Sequence, residues 1–267
     1  MKRHLCILAM VFVTLAPRLG SQWLNHRTAG VPRLANGEPN LSAPAPKTAD
    51  GRPDLSGLWQ ANGDGEGVSF AGAPLPALFR SIGAQLKDGL PYRPWARALA
   101  EARQADNLKD SPDARCLPLS VLWLHSHLFP AKIVQTPGLI VILYEKGVDF
   151  RQVFVDGRPL PVDPQPSFFG YSTGRWEGGT LVVRTNGFKD DLWADLNGNP
   201  LTEAATITER FRRPDFGHLE IVISIDDPKA YTAPFTVTVK QHLLVDTDLL
   251  EFICLENEKD QPHLVGK

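Results

Sequence analysis

The residues that most readily suggest chemistry are His125 and His127, two histidines separated by a single serine. On an extended segment alternate side chains face the same side, so both imidazoles could bind one metal ion. His218 or His242 could supply a third ligand, but no spacing rule places either beside the pair. The flanking residues are typical of an apolar loop: Trp123, Leu124, Leu128 and Phe129. We therefore predict that the pair borders such a loop and that the chain holds no metal or other cofactor.

Carboxylates in a long loop form the second candidate group. Asp195 and Glu203 fall in the segment that follows a strongly predicted hairpin. Loops at a barrel mouth collect functional groups, so either carboxylate could act with His125 in general acid–base catalysis. The alternative is structural, because Asn197-Gly198 is a good turn-forming pair. The sequence contains no G-x-S-x-G, P-loop, dinucleotide-binding or C-x-x-C motif, so it gives serine-based hydrolysis no support.

Six further residues are predicted to bind a small ligand. The aromatic ones would form an apolar cavity wall, and the charged ones would orient a polar end of the ligand. The alternatives are structural, since the rings could fill a solid core and Glu209-Arg210 could form a cross-strand ion pair. The predicted ligand-binding residues are Arg151, Arg158, Tyr171, Trp176, Trp193 and Glu209.

The elements that must position these residues are mostly short strands. Turn signals such as Pro137-Gly138 and Gly178-Gly179 separate them at even spacing. A further first strand could open at Gly57. The predicted strands are Lys132–Thr136, Leu139–Glu145, Phe150–Val155, Phe169–Trp176, Thr180–Thr185, Ala205–Phe211, Leu219–Ile225, Phe235–Leu243 and Leu249–Leu255.

The spacing of the strands predicts the fold class. Parallel strands need long crossovers, so short turns indicate antiparallel pairing. A meander of eight or nine strands tends to close on itself, because closure leaves no edge unpaired. We predict a mainly β protein, an antiparallel lipocalin-like β-barrel, with a two-sheet β-sandwich as the alternative. The Glu177-Gly178-Gly179 turn predicts the clearest hairpin.

One helix is predicted on the N-terminal side of the strands, near residues 93–107. Pro94 suits a first helical turn, and alanines dominate the segment. Trp95, Leu99 and Ala102 would share its apolar face.

The first residues predict export. A basic start and a short apolar run are typical of a signal peptide over residues 1–21, with an uncleaved anchor as the alternative. An extended Pro-rich arm, 22–53, and a single barrel domain, 54–267, would follow. The chain carries 28 basic and 30 acidic residues, and signal removal takes three basic residues and no acidic one. This mildly acidic chain is predicted to bind no nucleic acid, to span no membrane after signal removal, and to be periplasmic or secreted.

The cysteines point to the same compartment. Cys6 lies in the predicted signal, which leaves Cys116 and Cys254. Two cysteines in an exported chain favour one disulfide, here closing a long loop onto the last predicted strand. Two buried free thiols are the alternative.

Several segments together resemble a family of uncharacterised secreted bacterial proteins over residues 31–267. They are residues 51–59, 133–137, 154–159, 174–178, 209–211 and 256–260. The resemblance implies export but no assigned activity. Relatives often carry Asp at the position of Gly179 and histidines at those of Asn199 and Leu201, so any role of those histidines is lost here. More weakly, Gly57-Leu58-Trp59 is similar to the first-strand signature of lipocalins and avidins.

Three functions remain open from the sequence. The first is binding of a small apolar or aromatic molecule by an exported barrel. The second is an enzyme, a lyase, isomerase or hydrolase, acting on such a molecule with His125 and Asp195 or Glu203. The third is a non-catalytic envelope protein whose Pro-rich arm holds a partner.

Overall fold

The computed structural model describes residues 26–64 and 74–256. The predicted signal peptide, 1–21, lies outside these residues. The strands are β1 (Gly57–Ala61), β2 (Ala131–Gln135), β3 (Leu139–Tyr144), β4 (Phe150–Phe154), β5 (Tyr171–Glu177), β6 (Thr180–Asn186), β7 (Leu192–Trp193), β8 (Pro200–Leu201), β9 (Thr206–Arg212), β10 (His218–Asp226) and β11 (Phe235–Leu244). The α-helices are α1 (Ala77–Arg80), α2 (Pro94–Ala105) and α3 (Val121–His125).

Nine of the strands form a closed barrel in the order β1-β11-β10-β9-β6-β5-β4-β3-β2, and β7 pairs with β8 alone. The predicted barrel is therefore confirmed over the sandwich. Alternation works as expected in β10, where Leu219, Ile221, Ile223 and Ile225 are buried. The hairpin is also confirmed, since β5 and β6 pair from Tyr171↔Asn186 to Glu177↔Thr180.

The expectation of purely antiparallel pairing is wrong at one place. β4 and β5 run parallel and share only two paired positions, Val153↔Ser172 and Phe154↔Thr173. The irregular segment 155–170 carries the chain back between them, which is the long crossover that parallel strands need. The first half of β4 consequently has no paired strand on the β5 side.

The predicted last strand, Leu249–Leu255, is also wrong, because this segment is irregular. β1 already pairs with the edge of β11 that β10 leaves open, with Trp59 opposite Leu243. The C-terminal segment therefore has no unpaired edge of β11 to pair with. It runs instead along the barrel, where the Leu250 N–H donates to Glu145 Oε2 (2.9 Å). Its Cys254 forms the predicted disulfide with Cys116, which is confirmed.

The predicted helix is confirmed as α2, but its predicted buried face is wrong. Trp95 is 43% exposed, and its indole N–H donates to the Lys229 carbonyl (2.8 Å). The buried positions are Ala96 and Ala100. Small side chains let the helix approach β8 closely, which a Trp–Leu face would prevent. The two short helices α1 and α3 were not predicted.

The described part of the predicted arm, 26–53, lies against the barrel. Short bridges join Arg33 to Pro39 and Lys47 to Pro53. The arm is attached at Leu41, whose carbonyl accepts from the Gly217 N–H (2.7 Å). Among the described residues, no helix is long and apolar enough to cross a membrane.

Candidate functional site

A fully buried ion pair lies inside the barrel. Arg151 on β4 points inward, and so does Glu209 on β9. Arg151 Nη1 donates to Glu209 Oε1 (2.8 Å), and Nη2 donates to Oε2 of the same carboxylate. This two-pronged pairing is the geometry in which arginine and carboxylate attract most strongly. Arg151 and Glu209, both predicted to bind a ligand, thus bind each other.

The predicted catalytic His125 joins this pair. It is the last residue of α3, whose five residues are all buried and whose start is capped by Ser120. Ser120 Oγ also donates to the Ala194 carbonyl (3.0 Å), and Gln241 Nε2 donates to the His125 carbonyl (2.8 Å). These bonds tie the helix to the residue that follows β7 and to β11. His125 Nε2 then lies 2.7 Å from Glu209 Oε1, and because a carboxylate can only accept, Nε2 carries the proton.

Hydroxyls accept from two further donors of Arg151. Its Nε donates to Ser172 Oγ (3.0 Å) on β5, and Nη2 donates to Thr185 Oγ1 (2.8 Å) on β6. The Tyr144 ring packs beside His125, and its buried hydroxyl has no hydrogen-bond partner of good geometry among the described residues. We call Arg151, Glu209, His125, Ser172 and Thr185 the buried cluster.

Electrostatics keep the ion pair charged. Burial by itself raises the pKa of Glu209, but the charge and hydrogen bonds of Arg151 outweigh it, with a smaller contribution from His125, and hold that pKa well below its usual range. For Arg151, burial lowers the pKa, but Glu209 more than reverses that effect. Desolvation raises the pKa of the nearby Tyr144 hydroxyl, so it stays protonated.

A cleft opens from the surface beside this cluster. It has a volume of about 730 Å³ and lies between β4 and residues 167–173. At this place β4 and β5 share only two paired positions. Arg151 and Ser172 lie in its wall and belong also to the buried cluster. The other lining residues are mostly aromatic or proline: Pro118, Asp149, Phe150, Gln152, Phe154, Arg158, Pro159, Pro161, Ser167, Phe168, Phe169, Gly170, Tyr171 and Thr173.

The predicted ligand-binding residues divide into two groups. Arg151, Arg158 and Tyr171 line the cleft, and Glu209 lies behind Arg151. Trp176 packs against the barrel core instead. Trp193 is buried in β7 on another part of the molecule, with the Arg103 guanidinium 4.6 Å from its ring centroid.

The two predicted catalytic carboxylates lie apart from His125. Asp195 is fully buried and accepts from the backbone N–H groups of Ile82 (2.7 Å) and Asn197 (3.0 Å). Burial raises its pKa to about 6, opposed by these hydrogen bonds. Glu203 is exposed and pairs with Lys229 (2.8 Å). Among the described residues, no hydrogen bond or ion pair joins either carboxylate to His125, so the predicted acid–base set is not assembled.

The expected extended geometry of the two histidines is wrong, because His125 ends a helix. His127 leaves in another direction and stacks on Phe129, and burial lowers its pKa to about 3. His218 pairs with Asp215 (2.7 Å), while His242 bonds to Asn62 (2.8 Å). Within the described ranges, no group of three or more His, Cys, Asp or Glu side chains could hold a metal ion.

Sequence reasoning missed several cleft residues, most clearly Asp149, Phe150, Phe154 and Phe168. One signal was available. In β4, Phe150 and Phe154 alternate with the buried residues Arg151 and Val153, so two phenylalanines occupy the outward face. Outward aromatic residues on a strand indicate either a covering element or a binding surface.

The comparisons with known proteins add nothing to this geometry. No family model matches the chain, and no curated protein or solved structure is significantly similar to it.

Proposed function

We propose that this protein binds a small, largely apolar or aromatic molecule in the cleft beside β4. The observation that carries the proposal is the cleft itself, whose volume of about 730 Å³ falls within the usual range for ligand pockets. Its walls combine aromatic rings with a few polar groups, which is the composition such pockets share.

The exposure of the rings supports this proposal. Phe150 is 59% exposed and Tyr171 39% exposed, although both sit at the mouth of a concave apolar surface. Leaving such rings in water is unfavourable, and burying them under a ligand would recover about 25 cal/mol per Å² of apolar surface. The ligand would lie in the barrel wall rather than along the barrel axis, because α3 and the core fill the interior.

The buried cluster has a supporting role in this proposal. It fixes Arg151 and Ser172, two of the polar residues of the cleft wall, whose side chains hydrogen bonds already hold in place. A preorganised wall loses little conformational entropy when a ligand binds. Glu209 and His125 thus act through Arg151 and do not touch the ligand.

Export to the periplasm or beyond is part of the proposal. The disulfide Cys116–Cys254 supports it, since such bonds persist mainly in oxidising compartments. The likeness to lipocalins stays a prediction. No specific contact favours catalysis, and the described arm is engaged with its own barrel, so neither alternative function is proposed.

Binding of a neutral fluorescent probe such as Nile red tests the proposal. The informative variant is Gln152→Trp, which adds bulk at an exposed position that lines the cleft. Lys240→Trp is the matched control, because it adds the same side chain to an exposed position of β11. We expect saturable binding that weakens about tenfold in the first variant and is unchanged in the second. No saturable binding, or equal binding by both variants, would contradict the proposal.

A further inference from the structure

The charged groups around the cleft differ in whether they already have a partner. Arg151 is neutralised by Glu209, and Arg158 by Asp156, whose carboxylate accepts at 2.6 to 3.0 Å. The carboxylate of Asp149 makes no hydrogen bond or ion pair with any residue in the described ranges. Among the charged residues that line the cleft there, it is the one left unpaired.

Asp149 immediately precedes β4, and its carboxylate has no partner among the described residues. It follows the short turn Lys146–Val148, is half-buried, and lines the cleft together with Pro118. Its Oδ2 lies close to Gly147, since a Cβ added at that glycine would be 2.9 Å from this oxygen. The charge of Lys146 acts to lower the pKa of Asp149, but the Lys146 ammonium is paired with Asp113 (2.9 Å). Burial raises the pKa of Asp149 to about 6, so it is mostly ionised at neutral pH.

The aromatic walls already accept cations. The Arg158 guanidinium carbon lies 3.8 Å from the centroid of Phe154, and the Lys189 ammonium lies 4.4 Å from that of Phe168. Both rings line the cleft. The negative face of an aromatic ring attracts positive charge, and this attraction strengthens as water is excluded. Several rings with one unpaired carboxylate are the combination that recognises amines and quaternary ammonium groups.

The positively charged residues near the cleft do not make it a better site for an anionic ligand. A ligand anion would need a free cation in the cleft wall, yet four N–H donors of Arg151 are taken up by Glu209, Ser172 and Thr185. Lys189 is exposed and is not among the residues that line the cleft.

We propose that the ligand carries an amine or ammonium group beside its apolar body, and that Asp149 is its counter-ion in the cleft. This inference rests on the proposed function and specifies the chemistry of the ligand. A cation beside Asp149 would give the half-buried carboxylate a partner that the described residues do not supply. The aromatic rings would then surround the remainder of the molecule.

Three probes of similar shape separate the charge preference from simple apolar binding. Benzyltrimethylammonium is the cation, neopentylbenzene its neutral isostere, and phenylmethanesulfonate the anion. Each competes with Nile red at neutral pH. For the unmodified protein we expect the cation to displace Nile red at a concentration about tenfold lower than the neutral probe, and the anion to be weakest.

Two Asp→Asn variants then locate the preference. Asp149→Asn is expected to abolish the preference for the cation while retaining the neutral probe, which also shows that the cleft is intact. Asp226→Asn, at the exposed end of β10, makes the same change of net charge away from the cleft and should leave the preference unchanged.

The outcomes distinguish the two proposals. If none of the probes, including Nile red, binds in a saturable way, both proposals are overturned. If the neutral probes bind but the unmodified protein prefers no cation, or Asp149→Asn keeps the preference, only the ammonium ligand is overturned. A preference for the anion would likewise refute it and would point to Arg158 or Lys189.

Discussion

Burial, more than position in the sequence, determines what the charged residues of this protein do. Arg151 and Glu209 are almost completely buried, at 2% and 0% exposure, and each pairs with the other. Asp195 is equally buried but is satisfied by backbone N–H groups. Asp149 is half-buried and unpaired within the described residues. The same chemical types therefore fill three roles: internal ion pair, loop support and candidate ligand partner.

Replacing Glu209 with Gln should destabilise the protein strongly. The change leaves the Arg151 guanidinium buried without its counter-charge, and breaking a buried pair in this way costs about 3–5 kcal/mol. Chemical denaturation measures the loss in free energy of unfolding. Glu203→Gln is the matched control, because it removes an exposed pairing with Lys229 and should change little. Equal effects of the two variants would contradict the assigned role of the pair.

The same pair predicts a pH dependence with a definite sign. The pKa of Glu209 is lowered on folding from its ordinary value of 4.5, because the effect of Arg151 exceeds that of burial. Its contribution to stability is therefore fully present above pH 4.5 and is lost as the pH falls through the lower, folded-state value. In Glu209→Gln this part of the acid sensitivity should disappear. An unchanged acid profile in the variant would show that other carboxylates control it.

The turn of the β5–β6 hairpin contains two adjacent glycines that differ in the backbone angle φ. Gly178 has a φ of +59°, whereas Gly179 has no positive φ. Gly178→Ala should therefore lower stability by about 1–2 kcal/mol, the price of a left-handed conformation for a residue with a Cβ. Gly179→Ala should leave stability equal or raise it by about 0.4–1 kcal/mol, since its surroundings are open. Thermal unfolding of both variants tests this, and a reversed order would show that the turn differs.

Elements whose structure depends on neighbouring residues in the sequence could be predicted, and those that depend on distant contacts could not. Strand alternation in β10 and the β5–β6 turn are local, and both were predicted. The buried face of α2 depends on how closely β8 approaches, so Ala96 and Ala100 were overlooked in favour of Trp95. The parallel β4–β5 pair depends on the path of residues 155–170, and the cleft exists because of that pair. Arg151 was therefore predicted as a site residue, but its internal pairing and the role of Asp149 were not.

At the scale of the whole molecule, closure leaves the C-terminal segment outside the barrel. β1 and β10 take both edges of β11, so residues 245–256 are held by scattered contacts. Phe252 packs against Phe129, with ring centroids 4.8 Å apart. The Lys146 ammonium lies over the Phe252 ring. The disulfide is the strongest of these attachments, and it links this segment to Cys116, two residues before Pro118 of the cleft.

Removing the disulfide should therefore affect stability and the tail differently. The bond joins residues 138 positions apart, so it restricts the unfolded chain greatly, and Cys116→Ser with Cys254→Ser should lower the free energy of unfolding by about 2–5 kcal/mol. The barrel does not need the tail for strand pairing, so the β-sheet circular dichroism signal should persist. Limited proteolysis should become faster near residues 249–256, where Leu250 and Ile253 are exposed. A tail that resists proteolysis without the disulfide would mean that Phe252 and the Leu250–Glu145 hydrogen bond suffice to hold it.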